Sequence, residues 1–600
     1  MYRLFDPRSW PSRLVVRYSI AAFLGVFLIT NYVLWNDSKA WEIPTSLSFG
    51  FKHPIKKLMI DARLKQEALL EKRSFDVNTA AARYRERRGR HPPPGFEQWF
   101  EAAIEDGALV VEDYFDRIYK DVTPYWALEP EVLTERASSW HFGVKVRNGT
   151  AMPNGDQGGR VAWLPLWTEL VQEFAKHLPD VDMPFNYMDE SRLLVPFDKI
   201  AEYVATEAER RVMPEPAQVT TEYERLTKID MKKLEPYDPE WIKGGQSYWD
   251  LAVETCGPDS AAYGIPQATD FSPSVEFPQN WKPDFVYKGY INNWTAAIDP
   301  CGQPHLRQLH GTFLEPISMS TSKELIPLFG GSKLPMNNEI LIPGAMYLTD
   351  SEFYSGGGDH GPQWHAKKNG IIWRGDASGG RFKENSWHRF QRHRLVDMLN
   401  GTTLMRAESE GIRAKTFELP SRKIYKSDRQ AHGELGAWIN NFADTGFVHI
   451  CNDGCEWMDP YYHTLESKPM KEQYQYKFLP DADGNSFSAR FRGFMRSTSL
   501  PLKATIYAEW HDDRLVPWLH FVPLDNTFRD LYPILEFLGD GDGPGDWAAK
   551  TIAENGQNWS EQVLRKTDMK LYVWRLLLEW ARVCDVNRDT LGFVRDLTDQ

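Results

Sequence analysis

From residue 370 onward the apolar positions fall into short runs separated by turns and by longer amphipathic stretches. IIWRG (371–375), GFVHI (446–450), KFL (477–479) and WLHFVPL (518–524) read as strands, while Trp387 to Leu399, Leu500 to Ala508 and LYPILEFL (531–538) read as helices. Alternation of this kind predicts a parallel α/β sheet. Upstream the pattern is more mixed. RVAWLPL (160–166), RLLVPF (192–197) and EILIPGAMYL (339–348) are strand-like, and Phe96 to Glu131 carries Trp99, Phe100 and Trp126 on apolar helical faces. The stretch 211–290 is rich in proline and turns and reads as an irregular insertion. Lys52 to Arg90 is charged and helix-prone, ends at Pro92-Pro93-Pro94-Gly95, and carries a basic run (Arg83 to Arg90) that reads as a solvated helix face. The tail, Trp547 to Arg588, has the spacing of amphipathic helix.

Near the N-terminus, Arg3, Arg8, Arg13 and Arg17 precede an apolar run from Ser19 to Trp35. Its length and flanks predict a single-pass, type II signal-anchor with the basic side cytosolic and the bulk of the chain lumenal, hence a Golgi or ER membrane. A cleaved signal peptide is the competing reading. A lumenal setting suits N-x-S/T sequons at Asn36, Asn148, Asn293, Asn400 and Asn558. It also suits disulfides: of the 5 cysteines, Cys451 and Cys455 are close enough to bridge locally, Cys256 and Cys301 are the natural remaining pair, and Cys584 is left free. A zinc half-site at Cys451 and Cys455 lacks a second pair at metal spacing.

At 600 residues the chain is too long for one core and calls for two large domains. A 42% hydrophobic share with 23 Trp argues against general disorder. A formal net charge of −13 makes a nucleic-acid partner a poor fit, because phosphate backbones want a basic footprint.

Candidate chemistry sits in a few segments. In 473–523, a strand-like run leads into Asp481-Ala482-Asp483-Gly484-Asn485-Ser486, followed by Arg490, Arg492 and Arg496; small residues followed by arginines suit a diphosphate. A calcium loop fails there, since its sixth and twelfth positions would be Ser486 and Arg492. GIIWRGDASGGRF (370–382) is a second strand that ends in a glycine turn with an arginine. In DMPFNYMDESRLLVPF (182–197), Asp189 is either a general base at a strand edge or a turn residue paired with Arg192. His511 and His520 are weaker candidates, the first as a salt-bridged His and the second as core. No G-x-S-x-G, H-E-x-x-H or P-loop occurs.

These segments, in this order, resemble the blocks of glycosyltransferase family 90, which holds the fungal capsule-associated xylosyltransferase-like proteins and the animal protein O-glucosyltransferases. YRERRGRHPPPGFEQWF, FNYMDESR, IIWRGDASGGR, the 473–523 segment and DMKLYVWRLLLEWARV carry the likeness. The resemblance implies a GT-B-like α/β fold of two Rossmann-type domains with a helical C-terminus. It implies inverting transfer from a UDP-α-sugar, UDP-xylose or UDP-glucose, to a polysaccharide or glycoprotein hydroxyl. Asp189 falls on the family's base. Gly375, Asp376, Arg381, Asp483, Gly484, Asn485, Ser486, Phe487, Ser488 and Arg490 fall on its donor site, with no essential metal or other cofactor. Two departures stand out: Ser191 replaces a proline, and Asp376 stands where relatives often carry Ser. The implied organisation is a cytosolic tail (1–18), anchor (19–35), stem (36–91), acceptor-side domain (92–350), nucleotide-sugar domain (351–540) and C-terminal helices (541–600). A non-catalytic glycan-binding protein of the same fold is the alternative, and a glycoside hydrolase would need a second convincing acid.

Overall fold

Asn148 and Gly149 both sit at positive φ, 49° and 74°, and reverse the chain between β1 (Gly143–Arg147) and β2 (Thr150–Asn154). Asn-Gly is the dipeptide that best accepts two consecutive left-handed residues. β3 (Val181–Pro184) pairs antiparallel with the other edge of β1. The structure, a computed structural model, describes residues 52–155, 163–224, 237–277, 282–355, 357–409, 414–451 and 454–598. Within them the first half of the chain is organised by this antiparallel sheet and by a short parallel pair, β4 (Phe329–Gly330) with β5 (Ile340–Leu341). A second parallel Rossmann-type sheet was expected here. The hairpin turn instead fixes an antiparallel return.

The expected strand at 160–166 is also corrected where it is described: Trp163–Gln172 is helix, with Leu164, Trp167, Leu170 and Val171 buried at helical spacing, and 160–162 lie outside the described residues. The insertion is largely irregular, and a disulfide between Cys256 and Cys301, Cα atoms 5.5 Å apart, ties it to the body.

The second half carries the expected parallel sheet. Its strands are β6 (Lys368–Asp376), β7 (Ala443–His449), β8 (Tyr476–Ala482), β9 (Leu500–Ala504) and β10 (Val522–Pro523), in the order β10-β9-β8-β6-β7. Every pair is parallel. Leu500–Ala504, expected as helix, is therefore a strand buried at every position; a run this short and apolar does not reveal its period.

The helices α1 (Pro54–Leu70) and α2 (Val77–Arg88) pack into the body. Ile55, Leu58 and Ala62 join the core around the parallel sheet, and Ala80, Ala81 and Tyr84 join the other large core. The basic run is not a solvated face: the side chains of Arg88 and Arg90 are only 9% and 8% exposed. α3 (Gln391–Met398) follows β6, and the chain closes with α4 (Pro544–Val563) and α5 (Lys566–Val583). Instead of one apolar face, α5 buries every residue from Leu571 to Val583. It lies against the first half of the chain, where Trp99 Nε1 donates to Leu571 O (2.9 Å) and Trp580 Nε1 donates to Asp182 O (3.0 Å). Its polar side chains find partners there: Arg575 Nη2 meets the Tyr119 hydroxyl at 2.9 Å, and Glu579 accepts from Tyr84 at 2.9 Å.

The expected membrane anchor, and the Golgi or ER placement that followed from it, are corrected. No helix among the described residues is long and apolar enough to cross a membrane. The longest, α4 at 20 residues, places Asp546, Lys550, Glu554 and Glu561 along its length, at a cost that hydrocarbon does not repay. The expected span, 19–35, lies outside the described residues.

Candidate functional site

The strand order explains where a ligand can sit. In sequence order the five parallel strands run 2-1-3-4-5 across the sheet: β7 lies on one side of β6, and the chain then crosses back to lay down β8, β9 and β10 on the other. Connections leave β6 and β8 in opposite directions, which opens a crevice at their carboxyl ends. Those two ends are Asp376 and Ala482. The glycine turns singled out in the sequence, 377–381 and 483–490, are the loops that follow them.

Asn485 joins the two loops. Its Oδ1 accepts the N–H of Gly379 (3.0 Å) and of Gly380 (3.2 Å). Both glycines have φ near 120°, at 118° and 127°, and a Cβ on Gly380 would lie 2.4 Å from Glu315 O. Only glycine fits there. These N–H groups serve Asn485, where the sequence alone suggested an approach to phosphate. The other end of the amide reaches across 296 residues of sequence, where Asn485 Nδ2 donates to Asp189 Oδ2 at 3.3 Å.

Asp189 is exposed, and Asn485 is its hydrogen-bond partner among the described residues. Its neighbours explain this. Glu190 turns inward and accepts from Ile317 N (2.6 Å), Ser318 N (3.1 Å) and Ser318 Oγ (2.7 Å); burial raises its pKa, partly offset by those bonds. Arg192, the alternative partner, stacks 3.8 Å from the Trp241 ring and donates from Nη2 to Ser320 Oγ at 2.9 Å. Burial holds the Arg192 guanidinium near 10. Glu190 thus anchors the turn, Arg192 is occupied, and Asp189 is left facing solvent beside Asn485.

Arg392, on the first turn of α3, was not foreseen. Its guanidinium donates to Ser378 Oγ (2.7 Å), Asp376 O (2.9 Å) and Asp483 O (2.9 Å). Gln391 Nε2 also donates to Asp483 O, at 3.2 Å. A sequence signal existed: a cation at a helix N-terminus opposes the helix dipole, so Arg392 sits where local preference disfavours it. Burial pulls it down to about 10, and Arg490 adds to the effect.

The other expected donor residues divide. Asp376, Arg381 and Asn485 line a cleft of about 690 Å3 with Ser378, Phe382 and Trp457, whose wall includes the disulfide-bonded Cys451 and Cys455. Gly375 is the last but one residue of β6, where a Cβ would meet the Trp373 ring at 2.9 Å. Arg490 Nη1 donates to Arg374 O at 2.7 Å, while its Nη2 is buried without a partner. Burial lowers its pKa, and Asp481 and Asp376 oppose that. Ser488 is likewise buried, beside Asp481, where its hydrogen bond partly offsets the burial that raises the Asp481 pKa.

Asp483 faces inward, accepting from Ile506 N at 2.9 Å and lying 3.3 Å from His310 Nε2. The N–H of Gly484 closes the turn onto Ser486 O at 2.8 Å, and Phe487 packs 5.7 Å from the Tyr347 ring. These four shape the loop from within. His511 and His520 are core residues, the latter stacked 5.3 Å from Trp559 and held by burial near 3. Of the sequons, Asn148, Asn293, Asn400 and Asn558 are exposed, whereas Asn36 lies outside the described residues.

A doubly wound sheet with a polar crevice at its switch point, bordered by Arg381 and the exposed carboxylates of Asp376 and Asp189, defines the class of α/β folds whose ligand crevice lies between strand-end loops. Residues 413–590 match the family described as glycosyl transferase family 90. This stretch contains the second loop and Asn485, but neither the first loop nor Asp189. The chain is 31% identical over 133 residues to O-glucosyltransferase rumi of Drosophila pseudoobscura pseudoobscura, covering 20% of this chain and 31% of that protein. It is 30% identical over 135 residues to O-glucosyltransferase LpsA of Dichelobacter nodosus (22% and 40%), and 26% identical over 114 residues to protein O-glucosyltransferase 1 of Homo sapiens (19% and 28%). The matches thus span less than half the length of these relatives.

Proposed function

We propose that this protein is an inverting glycosyltransferase that moves a sugar from a UDP-α-sugar to a hydroxyl group of a glycan or glycoprotein. The carrying observation is the 3.3 Å hydrogen bond from Asn485 to Asp189, which sets the one exposed carboxylate of its turn against the two strand-end loops. UDP would occupy the cleft bordered by Ser378, Arg381 and Asn485, with the sugar directed toward Asp189. The acceptor oxygen attacks the anomeric carbon as the bond to the diphosphate breaks. Its proton passes to Asp189, and the β-glycoside and UDP leave.

Arg381 and the free N–H of Arg490 would neutralise the departing diphosphate, so the reaction in this reading asks for no metal. The similarity to O-glucosyltransferases favours glucose as the sugar; UDP-xylose remains the second donor to test.

UDP release on a panel of UDP-sugars, with and without acceptor, tests the reading. Asp189→Asn is expected to lower turnover by 10²-fold or more, roughly the worth of a general base, with UDP affinity nearly intact. Unchanged turnover in that variant removes Asp189 as the base. A protein that binds glycan but releases no UDP from any donor favours the non-catalytic alternative.

A further inference from the structure

The basic run at the end of α2 has no part in the donor cleft, yet it borders a cavity of its own. About 150 Å3 of space is lined by Arg87, Arg88, Arg90, Arg211 and Arg582, with two carboxylates, Glu207 and Glu579. The two cavities share no lining residue. This charge is out of character for a chain of net charge −13.

The arginines differ in how well they are neutralised. Arg88 has Glu112 at 2.8 Å and Asp116 at 2.7 Å, and Arg87 also pairs with Asp116. Arg90 and Arg211, by contrast, share the single carboxylate of Glu207, each with a contact of 2.9 Å. Arg582 shares Glu579 with Arg575, which also has Glu112 at 3.4 Å.

The donors are also incompletely used. The guanidinium of Arg90 lies over the Trp126 ring, 3.8 Å from its centroid, and its side chain makes one hydrogen bond, to Glu207. Arg582 donates from Nη1 to His91 O and from Nη2 to the Tyr84 hydroxyl, both at 2.7 Å, but its Nε is buried with no partner. Stacking on an aromatic face leaves a guanidinium's in-plane N–H groups free to bind in the plane. The site has a floor and a mouth: Arg90 and Arg582 are 8% and 2% exposed, whereas Arg87 and Arg211 are 35% and 40% exposed. Burial lowers the pKa of Arg90, and its neighbour Arg582 lowers it further, a repulsion that an anion between them would relieve.

We propose that this cavity is a second ligand site, one that takes a phosphate-type oxyanion, either free or as the terminal group of a sugar phosphate whose remainder projects past Arg87 and Arg211. The space is that of about five water molecules, enough for a tetrahedral oxyanion and too little for a nucleotide.

Calorimetric titration of the full chain tests this, with inorganic phosphate and glucose 1-phosphate as probes and sodium chloride of equal ionic strength as the control. Phosphate is expected to bind above the control, and both Arg90→Gln and Arg211→Gln to weaken it at least tenfold. Arg211 is half-exposed, so its variant keeps the test alive should Arg90→Gln fail to fold. Arg381→Gln, in the donor cleft, is expected to leave this binding unchanged. Tighter binding of glucose 1-phosphate than of phosphate identifies the ligand as a sugar phosphate, and equal affinity identifies it as the free ion. No heat above the chloride control overturns the proposal. So does binding that survives Arg211→Gln and is lost in Arg381→Gln.

Discussion

Replacing Asn485 with Asp changes one atom of the amide and isolates its contact with Asp189. The carboxylate of Asn485→Asp can still accept the N–H groups of Gly379 and Gly380, so the first loop keeps its anchor. Toward Asp189 the same change converts a donor at 3.3 Å into a second negative charge. At that separation the repulsion is about 1 kcal/mol in the dielectric of water and about 5 kcal/mol at an effective constant of 20. Asp189 is exposed, which places the effect near the lower figure. A neighbouring negative charge disfavours ionisation of a carboxyl, and about 1.4 kcal/mol corresponds to one pH unit. The acid limb of the pH profile of kcat/KM, followed by UDP release, should therefore move upward by about one unit. Asn485→Ala, which removes both contacts, should lose activity at every pH. Superimposable profiles for wild type and Asn485→Asp would refute the idea that Asn485 borders the group whose ionisation controls the reaction.

Arg490→Ala should weaken UDP binding about 10- to 100-fold, the worth of a hydrogen bond to a charged group at its free Nη2, read by calorimetry; equal affinity removes it from the diphosphate site. Asp397 accepts from Thr416 Oγ1 at 2.6 Å, and burial pushes its carboxyl up to about 6. The folded state therefore holds that proton more tightly than the unfolded chain, and ionised Asp397 costs stability above pH 6. Asp397→Asn should raise the free energy of unfolding at neutral pH by at most about 3 kcal/mol, read by denaturant titration, with the gain fading as pH falls from 6 toward 4. An equal gain at both ends of that range would contradict the assignment.

The parallel sheet was legible chiefly because β6 and β8 are apolar runs that lead into turns of Gly, Asp and Ser followed by Arg, and those turns marked both loops of the crevice. Periodicity failed at Leu500–Ala504, where five buried positions carry no alternation; at Trp163–Gln172 the helical spacing of Leu164, Trp167, Leu170 and Val171 was present but masked by the short apolar run that opens the segment. The antiparallel sheet of the first half turned on Asn148-Gly149, read in the sequence only as a sequon. Within the site, Asp189 and Asn485 were each visible, but their contact spans 296 residues and follows from no local pattern. Arg392 was missed for a different reason: its unfavourable place at a helix N-terminus was a signal, but its partners, two backbone carbonyls and the Ser378 hydroxyl, lie on two other segments.

The burial of α5 also sets the order in which the chain can fold. Leu571, Tyr572, Trp574 and Trp580 complete the core that holds Trp99, Phe115 and Val144. During synthesis those earlier residues leave the ribosome hundreds of positions ahead of the helix that covers them. At about 5–20 residues per second, the first half waits tens of seconds with an open apolar face. A stop between residues 524 and 565 would therefore release more than a shortened chain: its unfinished core would invite aggregation and chaperone capture, even though residues 368–523, with both strand-end loops, are already present.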